Sequence, residues 1–241
     1  MKKEVKEKEE TEKVFAKGFS FYKLFIIFVV GSVIGVYYEE ILHMVKVLMK
    51  TGVVEWVSRR GVIYGPFNPL YGAGFVLFIV ALGRKRRPAW KTILYGALIG
   101  GTFEYFINLF QEIFLGTTSW NYSHQFLNID GRTTIPIMLF WGIAAYILVE
   151  IFYPWLSSIV EKIPYRLGVI CTNILCVFLC IDMLVSWTAV LRQTLRRNNI
   201  PPYTPVGKFY DRHYNDEFLE KYYPNMMPSK GGVQYDPHSI K

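Results

Sequence analysis

The sequence predicts an all-α polytopic membrane protein of about five transmembrane helices: two repeated helical hairpins plus one extra helix. Three observations carry this. The chain has 241 residues, 52% of them hydrophobic, and the apolar residues gather into runs near the roughly 20 residues that cross a hydrocarbon core. The phrase Gly-x-x-x-Gly-x-x-x-Glu occurs inside two of these runs, at Gly31, Gly35 and Glu39 and again at Gly96, Gly100 and Glu104. The net charge of +8 comes largely from Lys and Arg beside the runs, where basic residues set the orientation of membrane spans.

Residues 1–18 are rich in Lys and Glu and read as a solvated tail. No small-x-small cleavage site closes the first apolar run, which argues against a removable signal. A transmembrane domain is expected over 19–191, with spans at about 19–38, 69–83, 92–115, 136–155 and 167–191. Lys23, near the start of the first span, is expected to snorkel to the interface. Three glycines and two prolines between Gly61 and Gly72 exclude continuous helix there and leave the second span short. That segment is either packed inside the bundle, where irregular backbone at membrane depth survives, or a tight loop at the interface. Cys171, Cys176 and Cys180 share the last apolar run without metal spacing and read as buried thiols acting as small apolar residues. Residues 192–241 form a polar tail rich in Pro and Tyr with no apolar period, expected to be mostly irregular.

The two halves run in parallel. Gly31 and Gly96 are 65 residues apart, while the aromatic–Gly pairs Tyr71-Gly72 and Trp141-Gly142 are 70 apart. A duplicated hairpin accounts for both spacings, and two spans per copy point both copies the same way. The Arg84–Lys91 cluster and the loop with Lys162 and Arg166 place the N-terminal side in the cytoplasm. Five spans then send the C-terminal tail outside, although Arg192, Arg196 and Arg197 follow the last span directly. This conflicts with the positive-inside rule.

Small residues at a spacing of four let membrane helices approach closely, so the Gly31/Gly35 and Gly96/Gly100 faces are expected to meet each other. Ionisable groups inside spans are costly and face a partner or a cavity. At about 1.5 Å per residue, Glu39 lies about 24 Å beyond Lys23 and Glu104 about 20 Å beyond Lys91, both in the outer half of the bilayer. A polar pocket beneath the two outer connections is expected. Glu39 and Glu104 would form it, with Arg59, Arg60 and Arg132 as the basic partners nearest in depth and Asn68, Asn108 and Asp130 completing it. Asp182 is a third intramembrane acid and a further candidate. These groups serve either as arginine-paired fasteners between hairpins, as a substrate or ion site, or as an acid/base pair. Trp120, Tyr122 and Trp155 read as interfacial belt residues. His43 and His124 lack metal-ligand company. Neither metal nor cofactor is expected, and no nucleic-acid motif accompanies the basic charge.

Several stretches together resemble a known family. They are Gly35-x-x-x-Glu39, Arg60-Gly-Val-Ile-Tyr-Gly-Pro-Phe-Asn-Pro-Leu-Tyr-Gly72 and Gly100-x-x-x-Glu104-Tyr, followed by Trp120-Asn-Tyr-Ser, Leu127-Asn-Ile-Asp-Gly-Arg132 and Trp141-Gly142. In this order, over about Phe21–Tyr153, they resemble the bacterial membrane family labelled putative ABC-transporter type IV. The resemblance implies a transport permease of the cytoplasmic membrane. The chain has no GxxxxGK[ST] phosphate loop, so an ATP-binding subunit would be a separate partner, beside membrane lipid and a second copy of the chain. A membrane-embedded enzyme acting on lipid or envelope precursors, or a membrane scaffold, are the alternatives.

Overall fold

The computed structural model describes residues 14–235; most of the charged tail expected over 1–18 lies outside the described residues. Helix α1 spans Phe21–Thr51, α2 Pro69–Leu82 and α3 Ala89–Phe110, which continues as a π turn over Gln111–Leu115. Helix α4, Ile135–Ile147, runs through a second π turn, Leu148–Phe152, into α5, Tyr153–Val160. Helix α6 is Tyr165–Arg197, and α7 (Pro205–His213) and α8 (Asp216–Tyr222) follow it. Short strands occupy β1 (Thr117–Thr118), β2 (Asn128–Ile129), β3 (Thr133–Thr134), β4 (Met227–Lys230) and β5 (Val233–Gln234).

Four helical stretches are long and apolar enough to cross a membrane: Phe21–Thr51, Ala89–Leu115, Ile135–Val160 and Tyr165–Arg197, with Pro69–Leu82 as a shorter apolar helix. The surface supports that reading. Phe106, Ile113, Ile174 and Leu184 face outward, while Ser32, Thr92, Asn108 and Ser186 are buried. Such an arrangement suits lipid as solvent, where backbone and polar groups are satisfied internally. The chain is an all-α polytopic membrane protein.

Helix starts follow local chemistry. Ser20 caps α1, Asn68 caps α2 with Pro69 behind it, and Thr134 caps α4 with Pro136 in its first turn. Each side-chain oxygen accepts a backbone N–H that the first turn leaves free.

The glycine stripes do not meet each other. A Cβ at Gly31 would lie 2.6 Å from Phe75 Cγ of α2, and one at Gly96 would lie 2.6 Å from Ala145 Cβ of α4. Gly35 is covered by Tyr71 and Gly100 by Trp141. Each stripe therefore seats the second helix of its own hairpin, with Phe75 and Tyr71 on the first and Ala145, Gly142 and Trp141 on the second.

The segment after Gly61 packs inside. Val62, Ile63 and Phe67 are buried. Its irregular backbone is satisfied by α6, for Ile63 N–H donates to Ser186 Oγ (2.8 Å) and Tyr64 N–H to Asp182 Oδ1 (3.2 Å). Lys23 does not snorkel. It is fully buried, and its Nζ donates to Glu161 Oε1 at 2.8 Å and to Ser157. The nearby acid and carbonyl give it a partner inside the bundle. Cys171 and Cys180 are exposed on α6 and Cys176 is half-buried, so the expected buried thiols face outward instead.

The expected irregular tail is folded. Helices α7 and α8 pack Tyr214, Leu219 and Tyr223 against Ile63, Ala189 and Val190, and β4 pairs antiparallel with β1. This apolar contact is scattered through a polar stretch, which is why no period announces it. The segment thus sits at the same end of the bundle as the α1–α2 and α3–α4 connections. Arg192 and Arg196 are bound there by Asp211 and Asp216, so their charge is offset within the segment itself.

Candidate functional site

A cavity of about 600 Å³ opens between the α1–α2 and α3–α4 hairpins. Glu39, Tyr71, Glu104, Tyr122 and Trp141 line it deep in the bundle, and Arg59, Arg60, Lys46, Gln111, Ser119 and Asn225 are among its other polar walls. The Gly-x-x-x-Glu phrase explains how two of these groups are placed. An acid four residues after a glycine stands one turn above it on the same face. Tyr71 lies across Gly35, and its side chain is beside the Glu39 carboxylate. Trp141 lies across Gly100 in the same way, and its indole N–H faces Glu104 without reaching hydrogen-bond geometry.

Glu104 is only 7% exposed. Its Oε1 accepts from Tyr122 Oη at 3.1 Å and its Oε2 from Thr133 Oγ1 at 2.6 Å. Among the described residues no Lys, Arg or His forms an ion pair with it. Burial, then the adjacent Glu104 charge, push the Tyr122 phenol far above its ordinary range, so Tyr122 stays protonated and donating. Glu39 lies nearer to cations, with Arg59 first and Lys46 next. Arg59 itself spans from His43 Nδ1, 2.7 Å from its Nη2, to Glu40, whose Oε1 accepts the Arg59 backbone N–H at 3.2 Å.

The other expected residues divide between the cavity and the scaffold around it. Asn68 lines the cavity while capping α2, and its Nδ2 donates to the Arg59 carbonyl. Arg60 lines the cavity with its guanidinium stacked on Tyr222, 5.1 Å from the ring centre. Asn108 and Arg132 do not line it. Arg132 Nη1 donates to Asn108 Oδ1 at 2.8 Å, and its Nη2 pairs with Glu112 at 3.2 Å. The turn at Asp130-Gly131, with positive φ at both residues, precedes a buried Arg132 that binds Asn108 and Glu112, while the next residue, Thr133, reaches Glu104. Asp130 accepts from Tyr105 Oη on the exposed side. Asp182, 3% exposed, serves the Gly61 segment, and its second oxygen has no partner.

Tyr38, Tyr71, Tyr122 and Trp141 also line the cavity and Thr133 binds Glu104, none of which the sequence reading assigns to the site. The aromatic–Gly pairs in the sequence were a usable signal for Tyr71 and Trp141, since an aromatic that seats on a glycine points toward the acid one turn above. Nothing in the sequence marks Thr133.

These features define a polytopic helical membrane protein with a largely apolar cavity between its hairpins that two carboxylates enter. The chain belongs to the family described as putative ABC-transporter type IV, whose pattern matches residues 26–187, and is a transporter-related membrane protein. No curated protein and no solved structure matched it.

Proposed function

We propose that this chain is a permease subunit and that the cavity between its hairpins is the substrate site, with Glu39 and Glu104 as its working groups. The observation that carries the reading is one carboxylate from each hairpin reaching the same 600 Å³ cavity. Ionisable residues at membrane depth usually mark a pathway or its coupling group. Family membership supports a transport role. A separate ATP-binding subunit, membrane lipid and a second copy of the chain are the partners this reading carries, in a cytoplasmic membrane with the N-terminus inside.

The two hairpins are read as copies of one unit. Four contacts recur with first-helix residues shifted by 65 and second-helix residues by 70. They are Gly31–Phe75 and Gly96–Ala145, Gly35–Tyr71 and Gly100–Trp141, and Gly72 and Gly142 against Phe28 and Ile93 and also against Ser32 and Ala97. Glu39–Tyr71 and Glu104–Trp141 continue the series.

The experiment is Glu104→Gln, which keeps shape and removes charge. Loss of growth or transport function in cells carrying the variant, with normal membrane insertion and melting temperature, is the expected result. Full function in that variant would overturn the reading.

A further inference from the structure

We propose that the inner end of the cavity binds an organic compound bearing one ammonium charge, held by Glu104 and by the aromatic side chains of Tyr38, Tyr71, Tyr122 and Trp141. This rests on reading the cavity as a substrate site and names what that site takes.

The argument begins with charge. A buried carboxylate persists when a cation or a proton accompanies it. Glu39 has Arg59 and Lys46 nearby. Glu104 has hydroxyl donors from Tyr122 and Thr133, and hydroxyls orient a carboxylate without neutralising it. Among the described residues no cation pairs with Glu104, so a proton or the positive charge of a ligand accompanies it.

The surroundings decide its kind. Among the described residues no group of three or more His, Cys, Asp or Glu could hold a metal ion, and the cavity is far larger than a bare ion needs. Its walls near Glu104 are aromatic. Tyr71 and Trp141 lie with ring centres 6.3 Å apart, and Tyr38 stacks on Phe140 at 6.0 Å. Tyr38, Tyr71, Tyr122 and Trp141 all line the cavity that Glu104 enters, and the Tyr122 hydroxyl donates to Glu104 itself. Aromatic faces beside a carboxylate attract ammonium groups that have shed their water. Lys46, Arg59 and Arg60 also line the cavity; Arg59 and Lys46 lie by Glu39 and Arg60 stacks on Tyr222, which leaves Glu104 for one ammonium group and opposes a ligand carrying a second positive charge.

The test uses the full chain purified in detergent, with choline and tetramethylammonium as probes and 3,3-dimethylbutanol as the uncharged counterpart of choline. Trp120, Trp141 and Trp187 line the cavity, so tryptophan fluorescence reads occupancy and calorimetry confirms it. Saturable binding of the ammonium probes is expected, at least tenfold tighter than the uncharged alcohol. Glu104→Gln should weaken it at least tenfold, and Glu150→Gln, on the outer surface, should leave it unchanged. Should Glu104→Gln not fold, Tyr122→Phe and Tyr122→Leu serve instead. The first keeps the ring and should bind within a few-fold of the parent; the second should lose at least tenfold.

Equal binding of the alcohol, no saturable binding, or undiminished binding by a folded Glu104→Gln overturns the proposal. The permease reading fails separately. If Glu104→Gln abolishes cell function and no ammonium compound binds, the site stands and the ligand class is wrong. If the probes bind but cells tolerate Glu104→Gln, the ligand class stands and the permease reading is wrong.

Discussion

Replacing Glu112 by Gln tests how the C-terminal segment is held over the bundle. The Glu112 carboxylate accepts from Gly231 N–H at 2.9 Å, Gly232 N–H at 2.7 Å and Ser229 Oγ at 2.9 Å, and it pairs with Arg132 at 3.2 Å. Gln retains one acceptor oxygen and places an N–H₂ group against donors. Arg132 is 5% exposed, so its charge loses its buried partner, a change that costs about 3–5 kcal/mol where no water enters. Asn108 still accepts from Arg132, and the glycine N–H groups gain water once the strand lifts. A local opening cost lowered by about 3 kcal/mol is the reasonable figure, which is about a hundredfold in the opening equilibrium. Hydrogen exchange of the 227–234 amides in detergent is the assay, with amides in the middle of α3 as the internal reference. The expected result is about a hundredfold faster exchange in 227–234 and unchanged exchange in α3. Unaltered protection of 227–234 in the variant would refute the clamp.

Three further outcomes follow from described contacts. Glu161→Gln should destabilise by about 2–3 kcal/mol, because Lys23 is buried with it, and by less than a sealed pair because Glu161 is 36% exposed; Lys23→Met in the same chain should restore much of the melting temperature. Gly100→Val should abolish folding or drop the melting temperature sharply, since a Cβ there would sit 2.5 Å from Trp141 Cβ, whereas Gly74→Ala, with nothing nearer than 3.8 Å, should be neutral or stabilising by up to about 1 kcal/mol. For pH, hydrogen bonds from Arg192, then Arg196, hold the Asp211 carboxyl below its usual range. A depressed folded value gives stability that is complete above the unfolded value of about 3.9 and is lost as pH falls through the folded one. Helix α7 should therefore stay docked from neutrality down to about pH 4 and loosen below it; exchange measured across that range checks this, and loosening near pH 7 would contradict it.

Much of the membrane part was legible because its signals are local. Runs of apolar residues, the prolines at Pro69 and Pro136 and the caps at Asn68 and Thr134 each state their element within a few residues. The glycine spacing announced close packing but not the partner. Whether Gly35 meets Gly100 or Tyr71 depends on which helix face a hairpin turn presents, a relation between residues far apart in sequence. Glu39 and Glu104 stand out in the sequence because acids inside apolar runs are conspicuous, while nothing near Tyr122 in sequence says that its hydroxyl reaches Glu104. Depth along the spans brings Arg132 near the pocket, but its pairing with Glu112 depends on the fold of the α3–α4 connection, which depth alone does not specify. The C-terminal fold was illegible because its order comes from contacts with Ile63, Thr117 and Glu112 rather than from a pattern of its own.

The pairing of β1 with β4 has a consequence for biosynthesis. Residues 227–234 leave the ribosome after every apolar helix has been made. Tyr223, Asn225 and Met226 complete one wall of the cavity, so that wall is laid last, once the helices are already inserted. The segment must also travel to the end of the bundle where the α3–α4 connection waits, behind α6. During that interval Glu112 keeps Arg132 but lacks Ser229, Gly231 and Gly232, and the edge of β1 stands unpaired. Where the helices insert as they are made, docking of this segment follows insertion, and a nascent chain arrested before Ser229 would hold helices around a cavity still open on one side.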